Sequence, residues 1–391
     1  MIRVGFTIVG SKDWMGGVTY LKNLLYAIST LKHREIEPVL VVGGKRDDGI
    51  LDMLGRHAEV LRTAIYDRKT LPWLVHGVSH VAKGNSWPFN RLMEKNGIAV
   101  VSHSFIWGRG LPYKTINWIP DFQHLHLPSM FSIKEVRKRD RLHRNMIEKS
   151  DTIILSSYNA LGDYKRFAPE RISKARVLQF VSQPDSAAYI AGVKGEIEKK
   201  YGFSGRFFYL PNQFWRHKNH HVVFEAVRIL KEKGRDVLLL CTGYMKDTRG
   251  KECVDELVNF MRSHGLQNNI RLLGMVDYGD VLYLMRNCLS VINPSLFEGW
   301  SSTVEEAKSI GKSVVLSGID VHREQAPPGG LYFDPGDPEE LAGILWERWN
   351  GGSSGMDIEL EKNAAANLSE RTRLFAEGLQ RIVLETVGKK R

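Results

Sequence analysis

The chain has 391 residues, 43% of them hydrophobic and 25% charged, an ordinary globular composition with length for two or three domains. No apolar run approaches the roughly 18 residues that cross a bilayer. Three widely spaced cysteines (Cys241, Cys253, Cys288) form neither a disulfide framework nor a zinc pattern, and read as reduced residues in or near the core of a cytoplasmic protein. The net charge of +11 leaves nucleic acid, an anionic membrane face and anionic small ligands to be weighed as partners.

The opening stretch "MIRVGFTIVG" carries a single basic residue and runs straight into a loop, so it reads as a first strand, 3–9, and not as a signal peptide. Further strands are expected at 38–42, 99–102, 115–119 and 152–155. A second series follows at 207–210, 237–241, 270–273, 289–292 and 313–316. Helical patterns lie between them at 18–31, 89–96, 133–149 and 160–167, then at 220–233, 254–264, 279–286 and 303–310. Strands alternating with helices imply parallel sheets built from βαβ units, and two series imply an α/β chain of two doubly wound domains. The boundary is expected within 178–206, where small and polar residues break the rhythm. This gives domains at 1–183 and 200–362. The segment 363–391 is helical by composition, follows the spacer "NGGSSG", and can dock back on the first domain.

Candidate site residues sit where strands end. Gly16 and Gly17 follow the first strand and precede a helix, where a bare backbone can approach a phosphate or sugar. They do not form G-x-G-x-x-G, so no dinucleotide fingerprint is present. His103 ends one strand, and Asp121 and His124 follow another; each can act on a hydroxyl or hold a hexose. In the basic stretch 133–149, Lys134, Lys138 and Arg141 share a helical face, while Ile133, Val136, Leu142 and Met146 form a partial apolar stripe. That pattern fits a solvated face or contact with anionic lipid. It lacks the aromatic residues that stack bases, so nucleic acid is disfavoured.

In "LPNQFWRHKNH" Lys218 is expected at a helix start, where the dipole disfavours a cation unless something anionic offsets it. With Arg216 beside it, it can neutralise a departing diphosphate. In "VINPSLFEGWSSTVEE" a buried strand leads through a loop holding Glu298 into a helix. Ser302 and Glu305 have capping-box spacing, which assigns Glu305 to the cap and leaves Glu298 and Glu306 free to face a ligand. The helix N-terminus suits a diphosphate, and a carboxylate one turn on suits a ribose diol. No Asp-x-Asp pair is present to hold a divalent ion on a diphosphate, so no metal is expected.

These elements in order resemble glycosyltransferase family 4, of the GT-B type, over nearly the whole chain. The residues that carry the likeness are the pair Glu298 and Glu306, "RHKN" around Lys218, Gly16 with Gly17, and "HREQAPPGGLYFDPGDPEELA". The resemblance implies two Rossmann-like domains facing an interdomain cleft, with acceptor on the first and donor mostly on the second. It implies transfer of a hexose, with retention and without metal or other cofactor, from a GDP- or UDP-linked sugar. The acceptor it suggests is a growing, lipid-linked surface polysaccharide at the inner face of the membrane.

By similarity, Glu298 lies near the donor hexose, and Gly299, Trp300 and Ser301 offer backbone contacts. Ser302 and Thr303 lie by the diphosphate, Glu306 takes the ribose, and Lys218 stabilises the leaving group while Gly16 and Gly17 close over it. Val276, in "LLGMVDYGD", belongs to the loop implied in base selection. Two departures stand out: Gln213 replaces an arginine common in relatives, with Arg216 the nearest substitute, and Gly-Trp follows Glu298 where relatives have Phe-Gly. An epimerase on the same fold, or a non-catalytic protein that binds sugar nucleotides, is the alternative.

Overall fold

The structure, a computed structural model, describes residues 1–8, 15–46, 48–83, 86–108, 110–184, 194–245, 252–351 and 355–388. The chain divides into two compact units, Met1–Val181 with Ser369–Arg391, and Ser182–Leu368.

The first unit is built on seven strands: β1 (Ile2–Thr7), β2 (Ile36–Gly43), β3 (Glu59–Thr63), β4 (Ile98–Ser102), β5 (Lys114–Ile119), β6 (Thr152–Leu155) and β7 (Ala175–Val177). They pair in parallel in the order β3-β2-β1-β4-β5-β6-β7. The second holds β8 (Phe208–Leu210), β9 (Leu239–Thr242), β10 (Ile270–Gly274), β11 (Val291–Asn293), β12 (Val314–Ser317) and β13 (Leu331–Phe333). Its parallel order is β10-β9-β8-β11-β12-β13. Each order runs outward one way from its first strand and then the other way. This is the doubly wound pattern, whose switch points lie between β1 and β4 and between β8 and β11.

Burial on both faces explains the continuous apolar runs. Phe208 and Leu210 pack into one core of the second unit, and Tyr209 into the opposite one. The strand β1 ends at Thr7, short of the expected bound: Ile8 is outside the strand and Val9 lies outside the described residues. β3 and β7 were not expected. β3 is an edge strand with no fully buried residue, so it lacks the apolar signature of its neighbours.

The last helix, Ile358–Gly388, starts before the expected segment and runs from the second unit into the first. In the first unit it is tied down by a buried hydrogen bond between Thr386 and Thr152, 2.8 Å, and by the Gln380 side chain accepting from Glu35 N at 2.9 Å. The helix Ile133–Lys149 has the expected bounds and a capping box from Ser132 and Glu135. It buries Met146, but Ile133 is exposed and does not join the apolar stripe, because at about 100° per residue it faces the opposite side of the helix from Leu142. Among the described residues no helix is long and apolar enough to cross a membrane.

Candidate active site

The switch point of the second sheet brings two loops together. One follows β8 and carries Asn212, Gln213 and Lys218; the other follows β11 and carries Ser295 and Glu298. Lys218 Nζ lies 2.6 Å from Glu298 Oε1, with both side chains nearly out of solvent, Glu298 at 10% exposure. Lys218 stands in a 3-10 turn, Arg216–Lys218, and not at the α-helix start. Left-handed Asn219 (φ 53°) separates the turn from the helix His220–Glu232, and its Nδ2 donates to Pro335 O at 2.9 Å. The anion that offsets Lys218 is therefore the protein's own Glu298.

Burial would push the Glu298 carboxyl upward. The Lys218 ammonium, with His217 and His322 nearby, outweighs it and holds the group down to about 2. It is ionised at neutral pH. Ser295 Oγ lies 2.7 Å from both Glu298 Oε1 and Asn293 Oδ1. Asn293 Nδ2 donates to Ser301 Oγ at 2.7 Å, and Asn212 Nδ2 to Asn293 Oδ1 at 3.0 Å. Thr303 Oγ1 then donates to Asn212 Oδ1 at 3.1 Å. This buried network locks the β8 and β11 loops to the tip of the helix Ser302–Ile310.

That tip corrects the expected cap. Ser301, not Ser302, is the N-cap, and its hydroxyl accepts from Val304 N. Glu305 plays no part in a capping box. It is buried, accepts from Gln325 Nε2 at 3.1 Å and pairs with Lys308 at 3.2 Å. Gln325 also brackets Ser301, donating to its carbonyl at 3.0 Å and accepting from its amide at 3.1 Å. The amides of Ser302 and Thr303 precede the first intrahelical bond, Glu305 N to Ser301 O. Such leading amides carry the positive end of the helix dipole.

Glu306 is buried one turn on and accepts from Tyr278 OH at 2.9 Å. Neither carboxylate is thus unengaged in the structure, contrary to the expectation that both are free. Val276 is half-buried in the loop between β10 and the helix Tyr278–Asn287, so Tyr278 links the expected base-selecting loop to the expected ribose ligand. Gln213 is half-buried and its Oε1 accepts from Tyr244 N, while Arg216 is exposed in the neighbouring turn. Gly299 and Trp300 are half-buried between Glu298 and the cap.

Gly243 shapes the floor. At φ 145° a side-chain Cβ would lie 2.3 Å from Asn212 O, so only glycine lets the loop after β9 approach the loop after β8.

Sequence reasoning passed over Ser295, Asn212, Asn293, Tyr278, Gln325 and His322. All six stood in segments singled out for other residues: Asn212 in "LPNQFWRHKNH", Asn293 and Ser295 in "VINPSLFEGWSSTVEE", Tyr278 in "LLGMVDYGD", and His322 and Gln325 in "HREQ". His322 is fully buried, with Nδ1 2.9 Å from Ser317 O and Nε2 without a hydrogen-bond partner. Burial lowers its pKa against the opposing pull of Glu298.

The remaining candidates belong to the first unit. Gly16 and Gly17 sit inside the first turn of the helix Met15–Ser29 and not in a loop before it. The preceding residues 9–14 lie outside the described residues. His103 is buried with φ 55°, its ring nitrogens 2.9 Å from Tyr20 OH and 2.7 Å from Ser102 Oγ. Burial lowers its pKa to about 3, so it is neutral. Asp121 caps its own turn by accepting from Gln123 N, and buried His124 lies 3.0 Å from Asp140. Cys241 and Cys288 are buried free thiols. Among the described residues no cluster of three or more His, Cys, Asp or Glu side chains could hold a metal ion.

Residues 193–347 match the family model described as glycosyl transferases group 1. No curated protein matches the chain. Among solved structures, Anabaena Alr3699/HepE in complex with UDP and glucose is similar at TM-score 0.69 and 17% identity, covering 98% of this chain and 100% of that one. A glycosyltransferase from Rickettsia africae is similar at TM-score 0.65 and 15% identity, over 100% and 99%. A UDP-forming α,α-trehalose-phosphate synthase from Burkholderia xenovorans is similar at TM-score 0.65 and 14% identity, over 99% of each. The second unit therefore resembles the glycosyl transferases group 1 model over residues 193–347, in a chain whose fold is that of the GT-B glycosyltransferases.

Proposed function

We propose that the chain is a retaining, metal-independent hexosyltransferase that uses a nucleoside-diphosphate sugar. Its acceptor is a growing, lipid-linked surface polysaccharide, and it works in the cytoplasm against the inner face of the membrane. The observation that carries the donor reading is the buried Lys218–Glu298 pair at the switch point of the second sheet, beside the amide tip of the helix Ser302–Ile310. Of the two donor bases expected, UDP is favoured by the solved relatives, one of them in complex with UDP-glucose.

In this reading the diphosphate lies between Lys218 and the leading amides, the hexose lies by Glu298, and Glu306 takes the ribose hydroxyls. The bond from the anomeric carbon to the phosphate oxygen breaks while the acceptor oxygen bonds to the same carbon on the same face. The acceptor's proton passes to the leaving phosphate. The protein supplies position and a preorganised positive field, and the cation and amides do the work a metal would otherwise do. On the same reading His103, Asp121 and His124 act on an acceptor hydroxyl or hold a hexose.

The test is to incubate pure protein, in chelator, with UDP-, GDP- and dTDP-hexoses after ranking the free nucleotides by thermal shift. Release of free nucleotide, with glycan product of unchanged anomeric configuration, supports the reading. A new sugar nucleotide would mean epimerisation. Binding without turnover on any donor and acceptor would mean a non-catalytic binder.

A further inference from the structure

The helix Leu71–Lys83, in the first unit, is turned the wrong way for a soluble protein. Leu71, Leu74, Val75, Val78 and Val81 fall on one face about 120° wide at 100° per residue. All five are exposed: Val81 at 89%, Leu71 at 74% and Val78 at 65%. The opposite face is polar and points inward. His76 and His80 line a cavity of about 250 Å³ at the carboxyl ends of β1 and β2, with Arg46, Tyr66 and Ser104. Burial and neighbouring His80 push His76 down to about 4. An amphipathic helix that packs its polar face and exposes its apolar one has a second apolar phase to satisfy.

The charge around it says which phase. From Arg68 to Met93 the chain has no carboxylate and carries Arg68, Lys69, Lys83 and Arg91. The next helix, Trp87–Lys95, packs against this one. It exposes Trp87, whose ring lies 5.5 Å from the Arg91 guanidinium. An indole beside a guanidinium next to an exposed apolar face suits the headgroup level of a bilayer. A second copy of the chain fits poorly, because a two-fold contact lays a patch on itself and would set these cations against their own images.

We propose that the outward face of the helix Leu71–Lys83, with Trp87, docks on an anionic lipid bilayer. The helix lies in the interface plane along about 20 Å, its apolar residues among the acyl chains and its histidine face toward the protein. The basic helix Ile133–Lys149 adds attraction at longer range and does not insert. This rests on the membrane association proposed above, but vesicle binding needs no sugar donor, so its failure would leave the transferase reading standing.

The experiment is sedimentation of the full chain with vesicles of phosphatidylcholine alone and of phosphatidylcholine mixed with phosphatidylglycerol. Binding to the mixed vesicles, weaker to the neutral ones, is expected. The double variant Leu74→Ser, Val78→Ser should lower partitioning at least about tenfold, with circular dichroism and nucleotide-induced thermal shift unchanged. Ile133→Ser should bind like the parent. Absence of binding by the parent chain, undiminished binding by the double variant, or a dimer in velocity sedimentation that the double variant disperses would each overturn the proposal.

Discussion

The Lys218–Glu298 pair makes a sharp energetic prediction. Replacing Lys218 with Met removes the ammonium and leaves a carboxylate that is only 10% exposed. The difference between an ordinary carboxyl near 4.5 and one held at about 2 corresponds to about 3 kcal/mol of stabilisation. Removing one partner of a buried pair costs about 3–5 kcal/mol in general, so the two estimates agree. For a unit of this size that loss is about 6–12 °C in melting temperature.

The pH dependence carries the sign. In the parent chain the Glu298 pKa is depressed, so its contribution is present above about 4.5 and fades as pH falls toward 2. In Lys218→Met, burial raises the pKa, so stability is greatest at low pH and is lost as pH rises through the raised value. The gap between the two proteins therefore narrows from pH 7 to pH 4. The double variant Lys218→Met, Glu298→Gln should regain most of the loss at pH 7 and show neither slope. Hydrogen exchange in β8 and β11, with thermal melts, reads the effect in the unit concerned. A single-variant cost below about 1 kcal/mol at pH 7, or a double variant no more stable than the single, would refute the electrostatic argument.

Two further outcomes test the site. Glu306→Ala should weaken nucleotide binding about 10- to 100-fold by calorimetry, since charge-assisted hydrogen bonds to a diol carry about 1.5–3 kcal/mol each. Tyr278→Phe, which removes only the hydroxyl that Glu306 accepts from, should cost less than about threefold. Gly243→Ala should lower stability by about 1–3 kcal/mol and impair nucleotide binding with it, because its Cβ would collide with Asn212 O. Binding that survives a clear fall in melting temperature would separate the loop from the site.

The strand series was legible because buried parallel strands are nearly all apolar, and Thr152–Leu155 was found to the residue. β3 escaped because an edge strand need not be apolar. The helix Leu71–Lys83 escaped because no core reading explains apolar residues that face outward. Glu298 and Lys218 stand in loops that follow strands and Glu306 one turn into a helix, and those positions are what offered them as candidates. The cap was misplaced by one residue because the capping-box spacing of Ser302 and Glu305 is present in the sequence but not used in the fold. The choice was made by Asn293 and Gln325, which reach Ser301 from other elements.

What spacing could least reveal is that Lys218 and Glu298, 80 residues apart, satisfy each other before any ligand arrives. The consequence for recognition is physical. A bare anion that captured the ammonium would leave Glu298 buried without its counter-charge, and a free sugar that captured the carboxylate would leave Lys218 in the same state. Only a ligand that offers an anion and hydroxyls together can re-partner both at once. A sugar joined to a diphosphate meets that condition, so on the proposed function the pair discriminates for the whole donor over either of its parts.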